Sequence, residues 1–489
     1  MDELKCFKAM HVEKSGAYIS AVDRVWYAEL TSETDLLDKL KKEAADMENI
    51  PGFFQDWHPA GDNKKQILSL VDPSLYPLNY NSSGIYSNGL ASVEQSLDFE
   101  TYGNFPQSIS SWRKQFLSIQ SKNNKDTPHH VPMASAWSAS PNFSWLPAEF
   151  SISNDGTTKI ESYINNLHPE RHSNMYDLIA KVFSKTVPVF EQVITDAVYT
   201  SPPRIREGIV SYYTNPTPMP TDYNSIDYIE KLAQWRANGQ YMAPEPEPHA
   251  RFDRPIPPES LCNRTVQVVV KMHNIVLTPE HPEYFGDKEW YVEAMSNERI
   301  IATAVCCYDE QNVTQGMIAF RDRLHGKIEY VEDDKQSLNL DYGLFNNPRN
   351  NTEILRKEIG NVRISQGLCV GYPNLYQHKS SGFRLEDPTK PGYRKMLTFY
   401  LVDPSIKIPS TKFVPPQQKS WWADKVLKIK PFNVMPLIIQ EYILGNVDFP
   451  ISHEKALQLR RQTNEERIAR NKHATNAYFE QEFVFNKGF

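Results

Sequence analysis

Between Ser201 and Ser260 the chain carries Pro202, Pro203, Pro216, Pro218 and Pro220, then Pro244, Pro246, Pro248, Pro255, Pro257 and Pro258. Proline has no amide hydrogen to give to a ladder, so this stretch cannot run through the middle of a sheet. It reads as an ordered connection parting two halves of different pattern. Upstream, Leu36, Leu37, Leu40 and Ala44 recur at helical spacing within Thr34 to Asn49. Tyr176, Ile179, Ala180, Phe183, Val187, Phe190 and Val193 do the same from Asn174 to Tyr199, where Pro188 is expected to kink or break the helix. Downstream come short β-branched or aromatic runs: Val266 to Leu277, Ile300 to Tyr308, Met317 to Phe320, Lys327 to Val331, Val362 to Ile364, Leu368 to Tyr372 and Met396 to Val402. Few helix-sized inserts separate them, which predicts an antiparallel sandwich or barrel. Asn351 to Glu358 and Ser452 to about Tyr478 read as charged helices, the second with Ser452 as its N-cap. The expected organisation is a largely helical N-terminal region (1–200), a Pro-rich connection (201–260), a β domain (261–450) and a C-terminal helix and tail (451–489).

The 489 residues carry 53 Lys and Arg against 60 Asp and Glu, a net charge of −7. Phosphate-neutralising proteins normally show a basic surplus, so nucleic acid is not an expected partner. The one basic segment, His453 to His473, lacks interleaved aromatics and reads as a solvated helix face. No apolar h-region opens the chain, and no apolar run reaches the roughly 20 residues of a membrane span, so a cytoplasmic location without a membrane partner is expected. The five cysteines show no CxxC spacing. Cys306 and Cys307, adjacent in a strand-like run, should point to opposite faces as core thiols. GxGxxG, P-loop, HExxH, GxSxG and kinase signatures are absent, which removes the usual support for dinucleotide, NTPase, zincin and α/β-hydrolase chemistry. His129 and His130, in a polar loop, read as structural.

Chemistry is concentrated in the strand-rich half. Tyr291 and Glu293 lie two apart in Glu289-Trp290-Tyr291-Val292-Glu293, so in extended chain they share a face. His378 follows Pro373-Asn374-Leu375-Tyr376-Gln377, and Arg394 follows Pro391-Gly392-Tyr393. A carboxylate, a remote histidine and an arginine in one barrel mouth resemble the 2-His-1-carboxylate triad of non-haem iron oxygenases, with the arginine free to clamp a co-substrate carboxylate.

Longer segments add a resemblance. Val269 to Glu280, Trp290 to Ile300, Tyr308-Asp309, Pro373 to His378, Gly392 to Lys395, Leu401 to Pro404, Val414 to Gln418 and Trp421-Trp422 are similar to the C-terminal domain of a fungal family of unknown function. That family is related to cupins and iron/2-oxoglutarate dioxygenases. Trp145-Leu146-Pro147 and Ser162 to Pro169 resemble its N-terminal part. The resemblance implies an α+β fold: a double-stranded β-helix (jelly-roll, cupin-like) core, a largely helical N-terminal region and a flanking C-terminal helix. It implies Glu293 and His378 as metal ligands and Arg394 as the residue binding 2-oxoglutarate. Where the family has Trp-His-Val-Glu, however, this chain has Trp290-Tyr291-Val292-Glu293. A phenol with a pKa near 10 is a poor ligand for Fe(II) at neutral pH. Three readings stay open. Iron is kept through Tyr291, Glu293 and His378, or with His281 substituting, for an oxygenase of fungal secondary metabolism. Alternatively the metal is lost and the pocket does non-oxidative synthesis, such as forming the cyclic dipeptide of pulcherriminic acid biosynthesis, where tRNA would be a partner. In the third, the chain binds a metabolite without turnover. The partner common to all three is a small molecule.

Overall fold

The structure is a computed structural model that describes residues 16–58, 65–86, 107–108, 139–198, 213–215, 217–241, 259–323, 338–339, 344, 352–447 and 450–484. Its spine is a long strand of 14 residues, rich in valine, in the larger of the two main sheets. In chain order the elements that matter are β1 (Tyr18–Ile19), β2 (Trp26–Glu29), α1 (Thr34–Glu48), β3 (Asp56–Trp57), β4 (Ile67–Val71), β5 (Ala148–Ile152), β6 (Thr158–Ile160) and α2 (Ser173–Val198). They continue with α3 (Tyr228–Ala237), the spine β7 (Arg264–Leu277), β8 (Glu283–Gly286), β9 (Ile300–Gln311), β10 (Gly316–Arg323), β11 (Arg356–Ile364), β12 (Leu368–Pro373), β13 (Gln377–Arg384) and β14 (Gly392–Val402). The last are α4 (Lys419–Val426), α5 (Leu437–Gly445) and α6 (His453–Ala474).

The large sheet runs β1-β2-β12-β9-β14-β7-β4-β3, with β5 also paired to β7 and β6 to β5. The smaller sheet runs β8-β13-β10-β11. All pairings in both are antiparallel. The molecule is thus a mixed helix and sheet protein built mostly of antiparallel sheet. One face of the large sheet is covered by α1 and α2, whose Leu36, Leu40, Ile179, Phe183 and Phe190 share a core cluster with Val266, Val268, Val270, Phe399 and Leu401. On the other face Cys307, Val370, Tyr372 and Met396 pack with Ile318, Phe320 and Ile364 of the smaller sheet. Cys306 and Cys307 accordingly go to opposite sides, as the alternation of a strand requires. Cys306 is not a free thiol: it sits directly opposite Cys369 and is bonded to it.

Several expectations are corrected. The described part of the N-terminal region is not largely helical. Beside α1 and α2 it supplies β1 to β6, and all six of these strands join the large sheet or its branch at β7. Their pairing partners lie far along the chain, so local periodicity carries little trace of them. Asn351 to Glu358 is strand rather than helix in its described part: Thr352–Ile354 pairs with Glu482–Val484, and β11 starts at Arg356. β11 is the edge of the smaller sheet, and edge strands are commonly blunted by charged side chains that mimic a helix pattern. α2 runs unbroken through Pro188, its apolar face held on the large sheet. Ser452 caps α6 as expected, accepting from the Lys455 amide at 3.2 Å. Most of the Pro-rich stretch, the Lys327 to Val331 run, His129 and His130 lie outside the described residues.

Candidate active site

Between the two sheets, and walled on a third side by α6, lies a cavity of about 1010 Å³. That is the size of a pocket for a drug-sized molecule. Strand alternation supplies its walls. Lys271, His273 and Ile275 face it from β7, and Arg394, Met396, Thr398 and Tyr400 face it from β14. Tyr372, His378 and Arg321 close it from β12, β13 and β10.

Tyr291 and His378 exchange both backbone hydrogen bonds, at 3.2 and 3.0 Å. Such a pair carries its side chains on one face, and the rings lie 4.4 Å apart by centroid. Two residues on, Glu293 Oε1 comes to 3.6 Å from His378 Nε2. Glu293 is positioned by Asn374, whose side chain accepts from the Glu293 amide at 3.2 Å, and by Arg467 of α6, which donates to its carbonyl at 3.2 Å. Burial alone would raise the Glu293 carboxyl. His378, together with the charges of Lys271 and Arg467, outweighs burial and holds the group at about 2. The phenols beside it move the other way. Burial first, then the carboxylates of Asp287 and Glu293, push Tyr291 well above its ordinary value, and Tyr372 and Tyr400 are pushed up by burial and by Glu293. All three are neutral hydroxyl donors at physiological pH. The Tyr291 hydroxyl donates to Asp287 Oδ2 at 3.4 Å.

The expected residues are therefore brought together, with Arg394 in the same cavity. Iron nevertheless does not fit what they offer. A metal on Tyr291, Glu293 and His378 needs three donor atoms converging on one point. Two converge. The third is a protonated phenol hydrogen-bonded to Asp287, and among the described residues no three His, Cys, Asp or Glu side chains come together as a metal site. His281, the substitute weighed above, sits exposed in a turn closed by Thr278 and does not line the cavity. Arg394 does not fit a free carboxylate clamp either. Its Nε donates to Glu310 Oε2 at 3.0 Å, its Nη2 donates to the Thr314 carbonyl at 3.0 Å, and its plane lies 4.3 Å over Phe383. The fork that would grip a co-substrate is occupied by groups of the chain itself.

Sequence reasoning missed part of the site. The segment read as a solvated basic helix turns two arginines inward. Arg460 reaches Asp56 at 2.5 Å and Asp72 at 3.1 Å. Arg467 pairs with the buried Glu298 and stacks 3.6 Å over Trp145. Their spacing of seven, two helical turns, was a legible signal of a shared inward face. Lys271, His273, Tyr372 and Tyr400 were also unmarked, because inside β-branched or aromatic runs they look like ordinary strand positions, and so was His58, which sits beside Pro59 in a turn-like segment.

A sequence profile described as "Protein of unknown function (DUF4246)" matches residues 1–425. No curated protein matches. Among solved structures, similarity is found to the selenomethionine-labelled Fe(II)/(alpha)ketoglutarate-dependent dioxygenase TqaL, at 11% identity and TM-score 0.22 over 62% of this chain and 93% of that one. IDO from Bacillus thuringiensis is similar at 11% identity and TM-score 0.18, over 28% of this chain and 47% of that one. A bsmA homolog from Methylobium petroleophilum PM1 gives 12% identity and TM-score 0.18, over 29% and 45%. The chain thus spans less than half of the latter two structures, and at these scores none of the three carries an argument about its fold or activity.

Proposed function

The chain belongs to the DUF4246 family of proteins of unknown function, and from the pocket just described we propose that it is a small-molecule enzyme working by proton transfer on an oxygenase-like scaffold. In this reading the two facing antiparallel sheets are a jelly-roll of the double-stranded β-helix kind whose metal position has been given up. The observation that carries the proposal is the 3.6 Å approach of a largely buried, ionised carboxylate, Glu293, to His378 in the cavity between the sheets. A carboxylate held at about 2 is itself a weak base, so its role is to stabilise positive charge on His378 when the imidazole takes a proton. His378 is then the group that moves protons. The phenols of Tyr291, Tyr372 and Tyr400 stay protonated and can give hydrogen bonds to a carbonyl as negative charge develops on it.

These parts suit deprotonation of an amine or of a carbon beside a carbonyl. Ring closure of an activated dipeptidyl ester to a diketopiperazine, the non-oxidative step of fungal pulcherriminic acid biosynthesis, is one reaction of that class: the amine attacks the ester carbonyl, the C–O bond breaks, and the proton passes through His378 to the departing alcohol. The test compares small metabolites of cells carrying the wild-type gene, a deletion, and the Glu293→Gln and His378→Gln variants, alongside the metal content of purified protein. We expect both variants to reproduce the deletion profile, and purified protein to hold no stoichiometric iron. A profile unaffected by any of the three changes would remove the enzyme reading, and stoichiometric iron would return the site to oxygenase chemistry.

A further inference from the structure

The wall opposite the Glu293–His378 pair holds a second polar group that the proton-transfer step does not use. Lys271 and His273 alternate on β7 and face the cavity, and His58 joins them from the end of β3, where its amide donates to the Ile67 carbonyl at 2.8 Å. Among the described residues Lys271 makes no hydrogen bond and no ion pair within 4.0 Å. The Nδ1 atoms of His58 and His273 are buried without a hydrogen-bond partner. With Nδ1 sealed from the cavity, the rest of each ring is what lines it, and Nε2 is the nitrogen left to meet a ligand.

The neighbouring charges say what kind of ligand. Most carboxylates on the cavity wall are already answered: Asp72 by Arg460, Asp287 by the Ser380 amide and Tyr291, Glu480 by Arg356. Lys271 makes no ion pair among the described residues and acts on Glu293 and the two imidazoles only through its field, in a chain of net charge −7. Burial and Lys271 push both imidazoles downward, His273 to about 3, so each is neutral and offers one N–H. One ammonium and two neutral imidazole N–H groups match a single negative charge. A phosphate dianion is better served by a guanidinium fork or a cluster of backbone amides, and it would also face Glu293, whose field already reaches Lys271. The rest of the lining, with Trp145, Trp290, Tyr284, Tyr291, Tyr372 and Tyr400, favours an aromatic body.

We propose that Lys271, His273 and His58 form a carboxylate-binding subsite, and that the molecule this pocket takes is an aromatic monocarboxylic acid. Its carboxylate lies against Lys271 and its reacting part lies toward Glu293 and His378. The inference rests on reading the cavity as a small-molecule site but not on any reaction occurring there, so binding measurements separate the two.

The probes are matched pairs of arylalkanoic acids and their carboxamides, beginning with 3-phenylpropionate, 3-(4-hydroxyphenyl)propionate and indole-3-propionate. Each is titrated calorimetrically into the full-length protein. A charge-assisted contact with the Lys271 ammonium should make at least one acid bind about tenfold or more tighter than its amide. The preference should shrink as salt rises from about 0.05 to about 0.5 M, which shortens the Debye length roughly threefold. Lys271→Met should abolish the preference while leaving amide affinity in place, and His273→Gln should reduce it. Because Lys271 makes no hydrogen bond or ion pair among the described residues and acts on Glu293 only through its field, the Met variant should stay folded with its midpoint lowered only modestly. If it does not, His273→Gln with the salt series decides. Equal binding of acid and amide across the pairs, binding of neither, or an undiminished preference in Lys271→Met would overturn the subsite. Glu293→Gln is expected to keep the acid preference even where turnover is lost, so loss of catalysis and loss of the subsite read out separately.

Discussion

At the residue scale, two ionisable groups on facing walls of the cavity are shifted downward for different reasons, and the sign of each fixes a pH window. Glu293 is ordinarily near 4.5 and is held at about 2 in the fold. A depressed carboxylate contributes stability that is fully present above 4.5 and is lost as pH falls toward 2. His273 is ordinarily near 6.5 and is brought to about 3 by burial and by Lys271. The unfolded chain therefore binds a proton that the folded chain refuses, and stability falls as pH drops from 6.5 toward 3. His58 is shifted in the same direction and adds to that upper window. Denaturant midpoints measured from pH 7.5 to 2.5 should fall throughout. In His273→Gln the fall between pH 6.5 and 4.5 should be shallower, and in Glu293→Gln the fall below 4.5 should be. Identical profiles for wild type and both variants would contradict these assignments. Glu293 and His378 were legible in the sequence because they sit in distinctive segments beside turns. Lys271 and His273 were not, since a polar residue at every second place of a β-branched run signals a half-buried strand whichever chemistry it faces.

Among the elements, α6 shows how a surface pattern conceals a structural role. Its 22 residues are charged on most sides, which fits a solvated helix, and only the spacing of Arg460 and Arg467 hints otherwise. Arg467 fixes the helix to the site at three points: the carbonyl of Glu293, the carboxylate of Glu298, and the face of Trp145. Glu298 is 1% exposed, and it also accepts from the amides of Trp145 at 2.7 Å and Met295 at 3.1 Å. Removing the guanidinium leaves that carboxylate buried with amide donors alone. Breaking a buried pair from one side typically costs about 3–5 kcal/mol. Arg467→Met should therefore lower the unfolding free energy by about 3 kcal/mol, read from urea midpoints at constant m. Combining it with Glu298→Gln should cost less than the two single changes added together, because the second removes the stranded charge. Strict additivity would mean that the pair is not coupled. The profile match ends at residue 425, so α6, which walls the cavity, lies beyond the part of the chain that defines the family.

For the whole molecule, the decisive fact is that the sheet ignores the division expected from the sequence. The Pro-rich stretch between 201 and 260 reads as a border, and a chain cut there would be expected to unfold in two steps. Yet β1 and β2 extend the large sheet beyond β12, with Tyr27 opposite Val370 and Trp26 opposite Gly371, while β3 and β4 extend its other edge beyond β7. β5 pairs with the same spine strand over Arg264 to Val268. Helix α2 then covers the face made by strands from both halves, and Trp26 donates to its Asp196 at 2.6 Å. Neither half has a complete sheet or a covered face without the other. What the sequence made visible, helices by their period and strands by their β-branched runs, was the local part of this arrangement. What joins the halves is pairing across more than 100 residues, which leaves no periodic mark in either partner. Unfolding should therefore be one cooperative event, with tryptophan fluorescence and far-ultraviolet circular dichroism giving the same urea midpoint. Trp26→Phe removes the donor to Asp196 in the front half, and it should lower both midpoints equally. Two separated transitions, with only the earlier one moved by Trp26→Phe, would show that the Pro-rich stretch does divide the molecule and that the shared sheet does not couple its halves.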